Sequence, residues 1–142
     1  MQTYDYFQQL KKPKWAPPAW VFGPVWTVLY ITIAISFSKI FIATFEGQMP
    51  ILLALPFALN LIFNLSFTYF QFKLKNNLLA SIDILLVLGT LVWAMVSVGF
   101  FSLKLSILGQ PGILWIAIVN IPYLLWVLFA TALQLRITYL NR

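Results

Sequence analysis

Pro13-Lys-Trp-Ala-Pro-Pro-Ala-Trp-Val-Phe-Gly-Pro-Val-Trp-Thr-Val-Leu-Tyr30 is the stretch that decides the fold of this chain. A basic, proline-bound segment ends in it and a long apolar run begins. Pro17 and Pro18 suit a first helical turn, where a missing N–H has no partner to lose. Beyond them Phe22, Trp26 and Tyr30 recur every four residues, so three rings stack along one helix face. Such a face on the first helix of a membrane bundle points to a site for a large flat ligand.

Working outward, the composition requires the bilayer. Of 142 residues, 62% are hydrophobic and 8% charged, against about 25% charged in ordinary soluble domains. The length suits one domain, residues 1–142. Met1–Leu10 is polar and aromatic and lacks a cleavable signal pattern. Cys and His are both absent. That excludes disulfides and thiol chemistry, and removes the commonest metal ligand, general base and axial haem ligand. No metal site and no obligatory cofactor are expected. The net charge of +6 reflects membrane orientation rather than nucleic-acid binding, because the basic residues flank apolar runs.

A spanning helix needs roughly 20 apolar residues, and four runs qualify: about 18–44, 51–72, 78–101 and 113–135. The expected fold is all-α, a polytopic bundle of four transmembrane helices. Lys11, Lys12, Lys14, Lys73, Lys75, Arg136 and Arg142 fall on the side of the N-terminus, against Lys104 and a snorkelling Lys39 opposite. Cytoplasmic loops carry the basic excess, so both termini are expected in the cytoplasm.

Polar residues inside the spans are the candidates for function. Asn60, Asn64, Phe67 and Gln71 share one face of the second helix. Their amides serve either as glue between helices or as direct ligand contacts. Asp83, the single acid within a span, is either a proton or cation site, as in a small proton-coupled exporter, or an interfacial acid paired with Lys75, Arg136 or a nearby amide. Val87, Thr90, Ala94 and Ser97 follow on its side of the helix and allow close contact or room for a ligand. In the fourth span Pro122 loosens the helix and frees a carbonyl one turn earlier, while Trp126, Ala130 and Gln134 share a face. Tyr139 and Arg142 read as interfacial anchors. Nucleotide loops and nucleophilic triads are absent; if chemistry occurs, Trp26 and Trp126 are the candidate participants, through a light-excited or radical ligand.

The motif Pro13-x-Trp15-x-Pro17-Pro18-x-x-x-Phe22-x-Pro24-Val25-Trp26-Thr27-x-Leu29-Tyr30 resembles the signature of the TspO/MBR family, the tryptophan-rich sensory and translocator proteins. Ala58-Leu59-Asn60 followed by Phe63, Asn64 and Phe67, and Pro122-Tyr123-x-x-Trp126-Val127-x-Phe129-Ala130-Thr131, are similar to its later segments. The resemblance implies a helical membrane receptor, often a homodimer, in a bacterial inner membrane. Its implied ligands are porphyrins (tetrapyrroles such as protoporphyrin IX) and isoquinoline-carboxamide-like molecules, alongside membrane lipid. It also implies porphyrin transport, light-dependent porphyrin degradation or stress regulation. Carried residue by residue, the family pocket falls on Pro17, Trp26, Tyr30, Asn60, Phe67, Trp126, Ala130 and Gln134, with Phe22, Phe63 and Asn64 beside it. Residues 1–17, with Phe7 and Trp15, correspond to a lid. The family pattern has a further span before that lid, so a four-span chain leaves one flank exposed and favours association. Phe63 stands where the family has Trp, and Gln134 where Asn is common. The animal sterol-binding segment is poorly reproduced.

Overall fold

The computed structural model describes residues 10–141, and Phe7 lies outside them. Among the described residues four stretches are long and apolar enough to cross a membrane: Phe22–Phe45, Ile51–Gln71, Asn77–Ile107 and Leu114–Leu140.

A short 3-10 turn, Ala19–Val21, leads into helix α1, Phe22–Phe45. The regular helix starts four residues later than the expected 18. Pro24 explains why this start is tolerated: it lies in the first turn, where backbone N–H groups have no intrahelical acceptor. Helix α1 ends at Gly47 (φ 75°). The Gly47 N–H donates to the Thr44 carbonyl and the Gln48 N–H to the Ala43 carbonyl, the paired bonds of a Schellman cap.

Helix α2, Ile51–Thr68, continues into a π-helical turn, Tyr69–Lys73. A π turn widens the helix and is commonly found at functional positions. The chain then reverses through Lys75 in the left-handed region (φ 53°). Asn76 caps the next helix, its Oδ1 accepting from the Leu79 N–H at 3.0 Å.

Helix α3, Asn77–Ile107, has 31 residues, about 46 Å at 1.5 Å per residue. It runs past the expected end at 101 because Ser102 does not break it. The Ser102 hydroxyl accepts from the Ile113 N–H at 2.9 Å and ties down the following loop. The helix stops at Gly109 (φ 74°), with the same cap as α1: Gly109 N–H to Ser106 O and Gln110 N–H to Leu105 O.

The last span is in two pieces, helices α4, Leu114–Val119, and α5, Ile121–Leu140. Pro122 cannot donate to the carbonyl one turn back, and the break falls two residues before it. Asn120 fills the joint: its Nδ2 donates to the Ile116 carbonyl at 2.7 Å and to the Ser36 hydroxyl of α1 at 3.0 Å. Helix α5 continues beyond the expected 135, since Arg136 projects outward and its guanidinium lies over the Tyr139 ring at 5.1 Å.

Helix α3 is the central post, packed on both α2 and α5. Ala80, Val87, Leu91, Ala94 and Val98 form its buried face; the alanines let neighbouring backbones come close. Helix α1 approaches α2 and α4 instead, with Phe37 edge-on to Phe57 at 4.8 Å. Its N-terminal half stands off from α3 and α5, and the space is lined by large side chains.

Candidate functional site

A cavity of about 230 Å³ occupies that space. Helix α1 contributes Phe22, Gly23, Trp26 and Tyr30; α2 and its π turn contribute Asn64, Phe67, Thr68 and Gln71. Helix α3 adds Ile84 and Val87, and α5 adds Trp126, Ala130, Leu133, Gln134 and Ile137. The cavity runs from mid-bundle to the basic end, where Lys73, Lys75 and Arg136 are exposed.

The rings are braced against each other. Trp26 is tilted on Tyr30 (5.4 Å, 33°) and edge-on to Tyr123 (6.3 Å). Trp126 meets Phe22 edge-on (5.8 Å) and is tilted on Phe129 (5.5 Å). Edge-to-face pairs of this kind fix ring orientation as well as adding contact energy. The Trp126 Nε1 is buried without a hydrogen-bond partner among the described residues.

At mid-bundle the wall is closed by a hydrogen-bond relay. The Tyr30 hydroxyl donates to Asn64 Oδ1 (2.9 Å), and Asn64 Nδ2 donates to the Tyr123 hydroxyl (2.7 Å). Tyr123 donates to Asn60 Oδ1 (2.8 Å), and Asn60 Nδ2 donates to the Val87 carbonyl (3.0 Å) and Thr90 Oγ1 (3.2 Å). The chain joins α1, α2, α3 and α5. At the basic end Asn77 is the hub. Its Oδ1 accepts from Gln71 Nε2 (3.0 Å), and its carbonyl accepts from Thr138 Oγ1 (3.0 Å) and Gln134 Nε2 (3.4 Å).

Phe22, Trp26, Tyr30, Asn64, Phe67, Trp126, Ala130 and Gln134 therefore meet at one cavity. Asn60 does not line it: the side chain is 0% exposed and both ends of its amide are engaged by other helices. Its hydrogen bonds run to α3 and α5. Phe63 packs into the core and is absent from the wall. Trp15 and Pro17 also lie off the wall; Trp15 is 51% exposed and edge-on to Phe129 at 5.6 Å. The segment before α1 is nonetheless tied to the end of α5. Asn141 clasps Lys11, accepting from its N–H (3.1 Å) and donating to its carbonyl (2.9 Å).

Gln71 shares the amide stripe with Asn64 and joins the wall although the resemblance does not include it. Ile84, Leu133 and Ile137 join it with no sequence signal, being aliphatic residues in aliphatic helices. Asp83 is buried (3% exposed), and its Oδ2 has no hydrogen-bond partner among the described residues. That oxygen does not make the expected pairing with Lys75, Arg136 or an amide. Among the described residues no cluster of acidic, His or Cys side chains could hold a metal.

The family model described as TspO/MBR family matches residues 1–140. The chain is 39% identical over 137 residues to the Tryptophan-rich protein TspO of Bacillus cereus, an alignment covering 96% of this chain and 80% of that protein. It is 31% identical to the Tryptophan-rich protein TspO of Chlorobaculum tepidum, over 96% of this chain and 79% of that one. It is also 31% identical to the Tryptophan-rich sensory protein of Cereibacter sphaeroides, over 96% and 77%.

Proposed function

The chain belongs to the TspO/MBR family, and from that membership we propose that its aromatic cavity binds a porphyrin such as protoporphyrin IX. One observation carries the reading: the indoles of Trp26 and Trp126, from the first and last spans, wall the same cavity, with Phe22, Tyr30 and Phe67 beside them. Flat conjugated rings gain most from walls of this kind, by stacking and by burial of apolar area. The polar edge of the ligand meets Gln134, while Asn60 holds the helices together and takes no part in contact.

The cavity volume, about 230 Å³, falls below the roughly 300–1,000 Å³ of sites that enclose drug-sized ligands. A tetrapyrrole enters with one edge, and the rest is accommodated as α1 and α5 separate or the Lys11–Asn141 clasp opens. The chain has no His or Cys, so binding uses the macrocycle rather than a metal, and free-base porphyrin binds about as well as haem. In this reading the protein is a receptor in a bacterial inner membrane, homodimeric, with both termini cytoplasmic. Transport or light-dependent breakdown of the ligand would draw on the same two indoles.

Quenching of tryptophan fluorescence on porphyrin titration tests this, with Trp15, Trp20, Trp93 and Trp115 left as reporters in Trp26→Ala/Trp126→Ala. Saturable quenching in the wild type and affinity weaker by about tenfold or more in the double variant are expected. Unchanged affinity would sink the proposal. A second reading, a proton-coupled exporter, is favoured by the buried Asp83, whose Oδ2 has no hydrogen-bond partner among the described residues. It requires Asp83→Asn to abolish substrate efflux from vesicles while porphyrin quenching persists.

A further inference from the structure

Outside the aromatic cavity, a groove of about 660 Å³ opens at the basic end, between the turn that joins α2 to α3 and the last turns of α5. Its size falls within the roughly 300–1,000 Å³ of ligand sites. Its polar lining includes Lys75 and Asn76, and its apolar lining the exposed Leu74, Leu78 and Leu135. The second span ends at Gln71, the third begins at Asn77 and the fourth ends at Leu140. The groove therefore sits at the level where a bilayer passes from hydrocarbon to headgroups.

The hydrogen bonds around it leave donors rather than acceptors. The Leu79 N–H can only donate, so it fixes Asn76 Oδ1 against the start of α3 at 3.0 Å. The Nδ2 end of this exposed side chain donates to none of the described residues. Neighbouring acceptors are taken: the Asn77 carbonyl accepts from Thr138 Oγ1 and Asn141 Oδ1 from the Lys11 N–H. Charge here has one sign. Lys75 is in the lining, and Lys73 and Arg136, each next to a lining leucine in sequence, are exposed. The chain has three acidic residues. Asp5 lies outside the described residues, Glu46 follows α1 at the opposite end, and Asp83 is buried. Among the described residues no acidic side chain offsets the basic groups at this groove.

We infer that the groove seats the headgroup of an anionic phospholipid, with its phosphodiester beside Lys75 and Asn76 Nδ2 and its glycerol and first methylenes over the leucines. A phosphodiester accepts without donating, which suits a donor lining. Basic pockets between membrane helices hold such headgroups. A zwitterionic lipid carries the same phosphate together with a cation that Lys73, Lys75 and Arg136 repel. A free phosphate shares the anionic chemistry but leaves the leucines uncovered. This site is separate from the aromatic cavity and does not depend on what that cavity binds.

Native mass spectrometry of the full chain in detergent tests the inference, with phosphatidylglycerol and phosphatidylcholine of identical acyl chains offered at equal concentration. Phosphatidylglycerol is expected to bind roughly tenfold tighter. Lys75 occupies the left-handed region (φ 53°), which Asn tolerates, so Lys75→Asn keeps the turn and should weaken phosphatidylglycerol about fivefold. Asn76→Asp keeps the helix cap but replaces the donor with a charged acceptor, and should bring the preference close to one. Each variant is made alone, so misfolding of one leaves the other informative. Lys14→Asn removes the same charge from an exposed position outside the groove and should leave the preference largely intact. Equal binding of the two lipids, a preference that survives both groove substitutions, or an equal loss in Lys14→Asn overturns the inference. Glycerol phosphate, titrated by calorimetry, supplies the headgroup without chains and should bind at least about tenfold more weakly than phosphatidylglycerol. Equal affinity would assign the groove to a soluble phosphate and overturn the lipid.

Discussion

The same chemical group, a side-chain carboxamide, stands at two levels of this bundle in two conditions. At mid-bundle, Asn60 and Asn64 have both ends of each amide engaged, and the relay through Tyr30 and Tyr123 reaches Thr90. At the basic end, the bonds that hold Gln71 and Gln134 among the described residues run from their nitrogens. The difference separates joinery from recognition. A satisfied amide in an apolar interior has nothing left to offer a ligand and much to lose on substitution. One held through its nitrogen contributes less to the fold.

Substitutions can break that comparison, and the largest effect is expected at Asn60. Asn60→Leu leaves the Tyr123 hydroxyl without its acceptor and removes the amide donor from the Val87 carbonyl and the Thr90 hydroxyl, the carbonyl keeping its bond from Thr90 Oγ1. The cost should be about 1–3 kcal/mol, above the roughly 0.6 kcal/mol average for a polar contact between membrane helices. Thermal unfolding in detergent measures it; a midpoint equal to wild type would show that the relay does not join the helices.

Tyr123→Phe should cost somewhat less, about 1–2 kcal/mol, because the ring stays and two amide atoms each lose one partner. The Asn60→Leu/Tyr123→Phe double variant sharpens the point. Residues in one network couple by about 0.5–3 kcal/mol, so additive losses would place the two in separate environments.

Gln134→Met should change the unfolding midpoint least, by about 0.5 kcal/mol or less, since its bonds to Thr138 and Asn77 are long. Its effect belongs to ligand affinity. A loss of stability as large as that of Asn60→Leu would erase the distinction between the two levels.

Much of this was legible in residue spacing. Phe22, Trp26 and Tyr30 form one wall because a helix repeats every 3.6 residues, and Trp126, Ala130 and Gln134 face them for the same reason. Spacing could not sort the amide stripe, where Asn60, Asn64 and Gln71 look equivalent. Which of them is engaged at both ends depends on what the opposing helices bring: Tyr123 and Thr90 in one case, the start of α3 at Asn77 in the other. Ile84, Leu133 and Ile137 gave no sign, because in a chain 62% hydrophobic an aliphatic lining residue looks like any lipid-facing one. The end of α3 was misplaced because Ser102, which resembles a loop residue, stays helical and anchors the loop through its hydroxyl.

The interruption at Asn120 makes α5 a lever with its pivot fastened to α1 through Ser36. At 1.5 Å per residue, Trp126 lies about 9 Å along that arm and Ile137 about 26 Å. Any swing about the pivot therefore displaces Ile137 nearly three times as far as Trp126. Such a swing would widen the basic end more than the depth where Trp126 sits, so breadth of access and closeness of ring contact would be set by different parts of one helix.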